Sequence, residues 1–129
     1  MRKQGTSNGT LIKAIANLGH TEFMVICDIG LPIPADVPTL DLSLSRGIPQ
    51  LLDVLKTISE ELVVERYIIA SELADPKIQA GIRKLLSETV YETVTHEKFK
   101  ELTHRAKFII RTGEQTPYAN IILVGGTNF

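Results

Sequence analysis

Apolar positions along the chain fall into short runs of two periods. Leu11, Ile12, Ile15 and Leu18 recur at helical spacing with Gly19 behind them, which predicts a short amphipathic helix ending at a glycine. Phe23 to Cys27 is an unbroken apolar run rich in strand formers, the mark of a buried strand. Prolines at 32, 34 and 38 keep the following segment extended. Thr39 to Leu44 alternates with period two, as a half-buried strand does. Pro49 to Ile58 predicts a helix, with Leu51, Leu52, Val54, Leu55 and Ile58 on its apolar face and Pro49 in its first turn.

The second half continues the pattern. A strand is expected over Leu62 to Ile69. A helix opens at Asp75 as N-cap and Pro76 as N1, buried through Ile78, Ile82, Leu85 and Leu86. Another strand is expected over Thr89 to Val94. Thr95 caps a short helix from His96 to about Thr103, and strands at Lys107 to Ile110 and Asn120 to Val124 complete the set. Interleaved helices and strands imply a single layered α/β domain over residues 1–129, with a largely buried sheet, mixed or parallel, flanked by helices. Strand order is not encoded in this pattern.

Composition narrows the class. A formal charge of −1, with no polybasic run, argues against a nucleic-acid partner. Hydrophobic residues make up 43% of the chain, yet no apolar run nears the roughly 20 residues that span a bilayer. Met1 to Ser7 carries charge with no apolar stretch behind it, so no signal peptide is expected. The single Cys27 excludes an intrachain disulfide and fits a reducing compartment. A cytoplasmic protein is expected.

The chemistry-bearing residues sit near the two termini. Arg111 to Asn120 is a polar loop ahead of an apolar strand, and Tyr118, Asn120 and Glu114 suit a small polyhydroxylated ligand. A tyrosine ring covers the C–H face of a sugar, and an amide both donates and accepts. The alternative is a polar turn between strands. His20 lies past a helix end, eight residues before Asp28. Histidine exchanges protons near neutrality; the alternative is a surface histidine on helix carbonyls. Asp28 ends an apolar strand, where ligand crevices open in α/β sheets; the alternative is an Asx-turn acceptor. His96, at a helix start, faces either a ligand or solvent, and His104 needs no role beyond a helix C-terminus.

Other chemistries lack their residues. The three histidines and Cys27 have no metal-ligand spacing, so no metal is expected. Gly125-Gly126 has no helix after it to bind a dinucleotide, and neither a Walker nor a Gly-x-Ser-x-Gly pattern occurs. A cofactor-free site of His, Asp, Tyr and Asn suits proton transfer on a polar small molecule.

These motifs together resemble the D-ribose pyranase family nearly end to end. The resemblance is carried by Leu18-Gly-His-Thr21, Cys27-Asp-Ile-Gly-Leu-Pro-Ile-Pro34, Thr95-His-Glu-Lys-Phe99, Ile110-Arg-Thr-Gly-Glu114 and Pro117-Tyr-Ala-Asn-Ile-Ile-Leu123. It implies an isomerase interconverting β-D-ribopyranose and β-D-ribofuranose. His20 corresponds to the proton-donating catalytic residue. Asp28, His96, Tyr118, Ala119 and Asn120 correspond to the sugar contacts. The resemblance also implies a homo-oligomer, a decamer of two stacked pentameric rings, and the terminal Phe129 would suit a subunit contact. A fucose-type mutarotase and a non-catalytic sugar-binding accessory protein are the competing readings.

Overall fold

A computed structural model describes all residues, 1–129. Four helices and six strands follow in the order α1 (Gly9–Asn17), β1 (Phe23–Cys27), β2 (Thr39–Asp41), α2 (Leu51–Ser59), β3 (Val64–Ala70), α3 (Pro76–Leu85), β4 (Val90–Val94), α4 (His96–Thr103), β5 (Ala106–Arg111) and β6 (Ile121–Gly125). One six-stranded sheet has the order β2-β5-β1-β6-β3-β4. β1 and β2 each run parallel to β5, and β3 runs parallel to β4. β6 is antiparallel to both of its neighbours, β1 and β3. Five strands therefore point one way and β6 alone points the other, so the sheet is mixed. No helix is long and apolar enough to cross a membrane.

The unbroken apolar run of β1 is explained by burial on both faces. Met24 and Ile26 meet α1, α2 and α3 through Leu11, Leu51, Leu55, Ile58 and Ile82. Phe23, Val25 and Cys27 meet α4 through Phe99 and Leu102 on the other face. The result is three layers with β1 and β6 fully buried at the centre. The edges are open: β4 exposes Val90 and Tyr91, so the sheet is buried in its middle rather than throughout.

Most caps match expectation. Asp75 accepts from Lys77 N and Ile78 N, with Pro76 behind it, and Thr95 accepts from Lys98 N. Three local expectations are corrected. β2 stops at Asp41 because its carboxylate turns back to accept Ser43 N at 2.9 Å; Leu44 is then exposed. Pro49 stands before the N-cap Gln50, outside the helix, and Leu51 takes the first position. Gly19 is not a left-handed cap: α1 ends at Leu18 with extended backbone, and Gly19 N instead donates to Glu22 Oε1 at 2.6 Å.

Candidate functional site

The carboxyl ends of β1, β3, β4 and β5 and the start of β6 share one edge of the sheet, the place where α/β folds open ligand crevices. Asp28 follows β1 there, and Asn120 precedes β6. Their clasp is double. Asn120 Oδ1 accepts from Asp28 N at 2.7 Å, and Asn120 Nδ2 donates to Asp28 Oδ2 at 3.2 Å. Asp28 Oδ1 accepts Gly30 N at 2.9 Å, so the Asx turn is real as well. Asn120 and Ala119 are fully buried, whereas Tyr118 is 38% exposed.

His96 opens α4 beside Tyr118, their ring centroids 5.0 Å apart in an edge-to-face arrangement. Its N–H, an unsatisfied group of the first helical turn, donates to both carboxylate oxygens of Glu72 at 2.9 and 3.0 Å. That hydrogen bond, helped by the Ser71 hydroxyl, holds the Glu72 carboxyl below the usual carboxylate range against a smaller opposing effect of desolvation. His96 Nδ1 is buried and has no hydrogen-bond partner in the chain. Buried polar atoms in native proteins are nearly always paired. This unpartnered nitrogen belongs to the ring that packs against Tyr118.

Tyr118 has a φ of 63° and Thr21, next to His20, a φ of 69°. Both lie in the left-handed region, which costs a non-glycine residue roughly 1–2 kcal/mol. These are the only non-glycine residues in that region, and each adjoins or is a candidate site residue.

His20 is not with the others. It sits beyond the opposite end of β1, where Thr21 N donates to Gly125 O at the far end of β6. Five strand residues separate the two ends, about 17 Å at the usual rise. There His20 Nε2 lies 2.8 Å from Glu65 Oε2 on an exposed surface. Gly125 permits this arrangement, since a Cβ on it would collide with Gly19 O. The sequence spacing of eight residues between His20 and Asp28 therefore does not bring the two together within a single chain. Eight residues that include an extended strand create distance, not proximity.

The loop between β5 and β6 is fixed by groups that pattern alone did not single out. Thr112 donates its hydroxyl to Cys27 O at 2.8 Å, and Arg111 reaches Ile29 O and Leu31 O at 3.3 and 3.2 Å. The long-range bonds of Glu72, Thr112, Arg111 and Glu65 carry no local sequence signal, because His96, Cys27, Ile29, Leu31 and His20 lie far from them along the chain. A groove of about 560 Å³ runs along α4 between Pro32–Pro34 and Lys100–His104 and contains none of the candidate residues. One chain thus gathers Asp28, His96, Tyr118, Ala119 and Asn120 at one edge of the sheet, with Ala119 and Asn120 buried beneath, and places His20 at the other end of the strand.

The comparisons agree over the whole length. Residues 1–128 match the RbsD / FucU transport protein family. The D-ribose pyranase of Geobacillus thermodenitrificans is 47% identical, covering 100% of this chain and 99% of that protein. The D-ribose pyranase of Bacillus velezensis is 45% identical over 100% of both. The structure of Bacillus subtilis RbsD complexed with D-ribose superposes with a TM-score of 0.95 at 45% identity, covering all of both chains. The fucose mutarotase of Streptococcus pneumoniae, in complex with L-fucose, has a TM-score of 0.84 at 22% identity over 99% of this chain and 100% of that one, a likeness of fold. With the mixed sheet, the strand-end cluster and this full-length similarity together, the chain belongs to the RbsD / FucU transport protein family.

Proposed function

We propose that this protein is a cytoplasmic isomerase that interconverts β-D-ribopyranose and β-D-ribofuranose, with its site completed between two copies of the chain. Relatives at 45 to 47% identity that are D-ribose pyranases support the reaction and the sugar. The observation that carries the shared site is the placement of His20 and Asp28 at opposite ends of β1. A proton donor about 17 Å from the sugar contacts of its own chain serves only a neighbour's sugar.

In this reading Asp28 and Asn120 orient sugar hydroxyls. The Tyr118 ring covers a C–H face, the Ala119 backbone lines the pocket, and His96 Nδ1 takes one hydroxyl. His20 of an adjacent copy, held by Glu65, delivers a proton to O5 as the C1–O5 bond breaks. The anomeric hydroxyl gives up its proton to water as the aldehyde forms. Reclosure reverses the traffic: O4 bonds to C1 and gives its proton to the now neutral His20, and the carbonyl oxygen takes one back from water. Positioned acid–base groups accelerate such a step about 10²–10⁴-fold. Ring clefts between copies call for closed symmetry, and a decamer of two stacked pentameric rings supplies it. Phe129 is fully exposed instead of folding back on its own domain, which supports a contact between copies.

Magnetisation exchange between ribose forms, measured by NMR with and without the protein, tests this. The reading requires faster pyranose-to-furanose exchange. A protein that shifts or broadens ribose signals without raising exchange is a binder only, and exchange of L-fucose in preference to ribose marks a fucose-type mutarotase.

A further inference from the structure

Glu114 is the one charged residue among the buried residues of the chain, at 7% exposure. Desolvating a carboxylate is costly unless partners compensate it. No Lys, Arg or His forms an ion pair with Glu114. Its partners are two main-chain N–H groups instead. Oε1 accepts Leu51 N at 3.0 Å, and Oε2 accepts Thr116 N at 3.2 Å. Leu51 N is the first N–H of α2, where a negative charge is favoured by the helix dipole. Two diverging donors call for a group with two acceptors and no donor, which among side chains means a carboxylate.

The two ends of this bridge have different consequences. α2 belongs to the rigid core, through the fully buried Leu51, Leu55 and Ile58. Thr116 begins the turn that presents the aromatic and amide groups. Its carbonyl accepts Ala119 N at 3.3 Å, and Tyr118 O accepts Asn120 N at 2.9 Å. Asn120 then clasps Asp28. The main chain of Glu114 meanwhile accepts Ile29 N at 2.9 Å, next to Asp28, and donates to Thr112 Oγ1 at 3.1 Å. One residue fixes the Asp28 turn by its backbone and the 116–120 turn by its side chain.

We propose that Glu114 is a positioning residue for the sugar site: its carboxylate ties the turn bearing Tyr118 and Asn120 to the N-terminus of α2 and so sets those two groups against Asp28 without touching the sugar. The inference rests on the binding roles proposed for Asp28, Tyr118 and Asn120. His20 lies outside this linkage, so loss of the carboxylate loosens sugar binding and leaves proton transfer intact.

The test measures apparent KM and kcat for ribose exchange, with melting temperature, in Glu114→Gln. A glutamine keeps the size but points an NH₂ group at one of the two N–H donors. The expected result is a KM raised about tenfold with kcat within about twofold of wild type. A core variant matched in melting temperature, chosen from Ile82→Val and Ile82→Ala, should leave both constants unchanged. Should Glu114→Gln track that core variant, or lower kcat with KM unmoved, the positioning role is wrong. If Glu114→Gln does not fold, Glu114→Asp, one methylene too short for both donors, takes its place, and a wild-type KM there overturns the proposal. Tyr118→Ala and Asn120→Ala are measured in parallel. Unchanged KM in both removes the binding roles and this proposal with them. Raised KM in both, with Glu114→Gln unmoved, overturns the positioning role alone.

Discussion

Asn120 and Asp28, 92 residues apart, hold each other at two points: a 2.7 Å bond from Asp28 N to Asn120 Oδ1 and a 3.2 Å bond from Asn120 Nδ2 to Asp28 Oδ2. The pair joins the end of β1 to the start of β6 and presents a carboxylate oxygen at the sheet edge. Asn120→Ala leaves the Asp28 N–H without its partner in a partly buried setting, at a cost of about 1 kcal/mol in stability. Ribose affinity should fall as well. Asp28→Asn keeps the size of the side chain and should weaken ribose binding with a smaller loss of stability. Thermal melts and ribose titrations of the two variants check this, and unchanged affinity in both removes the pair from the binding site.

His20 makes one side-chain hydrogen bond, to Glu65, on an exposed surface. His20→Ala should therefore change stability by no more than about 0.5 kcal/mol. Exchange of ribose should drop by about 10²–10⁴-fold, the usual contribution of a positioned acid–base group. Melting curves and NMR exchange rates on the same sample check both halves. A folded variant that exchanges at the wild-type rate ends the catalytic assignment.

Glu72 links pH to the seat of His96. Its folded-state carboxyl titrates below the ordinary 4.5, chiefly because the His96 N–H is bonded to it. A depressed folded value gives a contribution that is complete above pH 4.5 and is lost as pH falls through the folded value. The amide of His96 should lose protection from hydrogen exchange in that acid range, after correction for the intrinsic rate. Glu72→Gln should remove this acid step and weaken protection at neutral pH. Peptide-resolved exchange over Val94–Phe99 checks it; identical acid profiles in the two proteins would contradict the linkage.

Cys27 is fully buried at the end of β1, and burial pushes its thiol up to about 12. The thiolate is the reactive form, so the native protein should resist iodoacetamide near pH 8 and react once unfolded. Intact mass before and after denaturant reads this directly. Rapid labelling of the native protein would mean that β1 is not sealed as described.

Much of the architecture was legible because it is locally encoded. Asp75-Pro76 announces a helix start through one side-chain oxygen and one fixed φ, and both act within four residues. Phe23 to Cys27 announces a strand covered on both faces. The order of the strands was not legible, because β6 inserts antiparallel between β1 and β3 through pairings 95 to 101 residues apart along the chain with β1 and 52 to 61 apart with β3. The site divided the same way. Tyr118 and Asn120 stood out as an aromatic and an amide before an apolar strand. Glu114 and Glu72 work on helix N-termini brought to them only by tertiary folding. His20 misled by proximity in sequence: an extended strand lies between it and Asp28, and strands separate their ends faster than helices do.

The shared site is tested most directly by mixing two inactive variants, His20→Ala and Tyr118→Ala, under conditions that exchange subunits. Each variant supplies what the other lacks. If one copy lends His20 to the Asp28–Tyr118–Asn120 edge of another, random assortment makes about a quarter of the clefts whole. Ribose exchange should then recover to a corresponding fraction of the wild-type rate. No recovery in a mixture whose subunit exchange is proven by native mass spectrometry, with both variants folded, would place the working site within one chain and contradict the account.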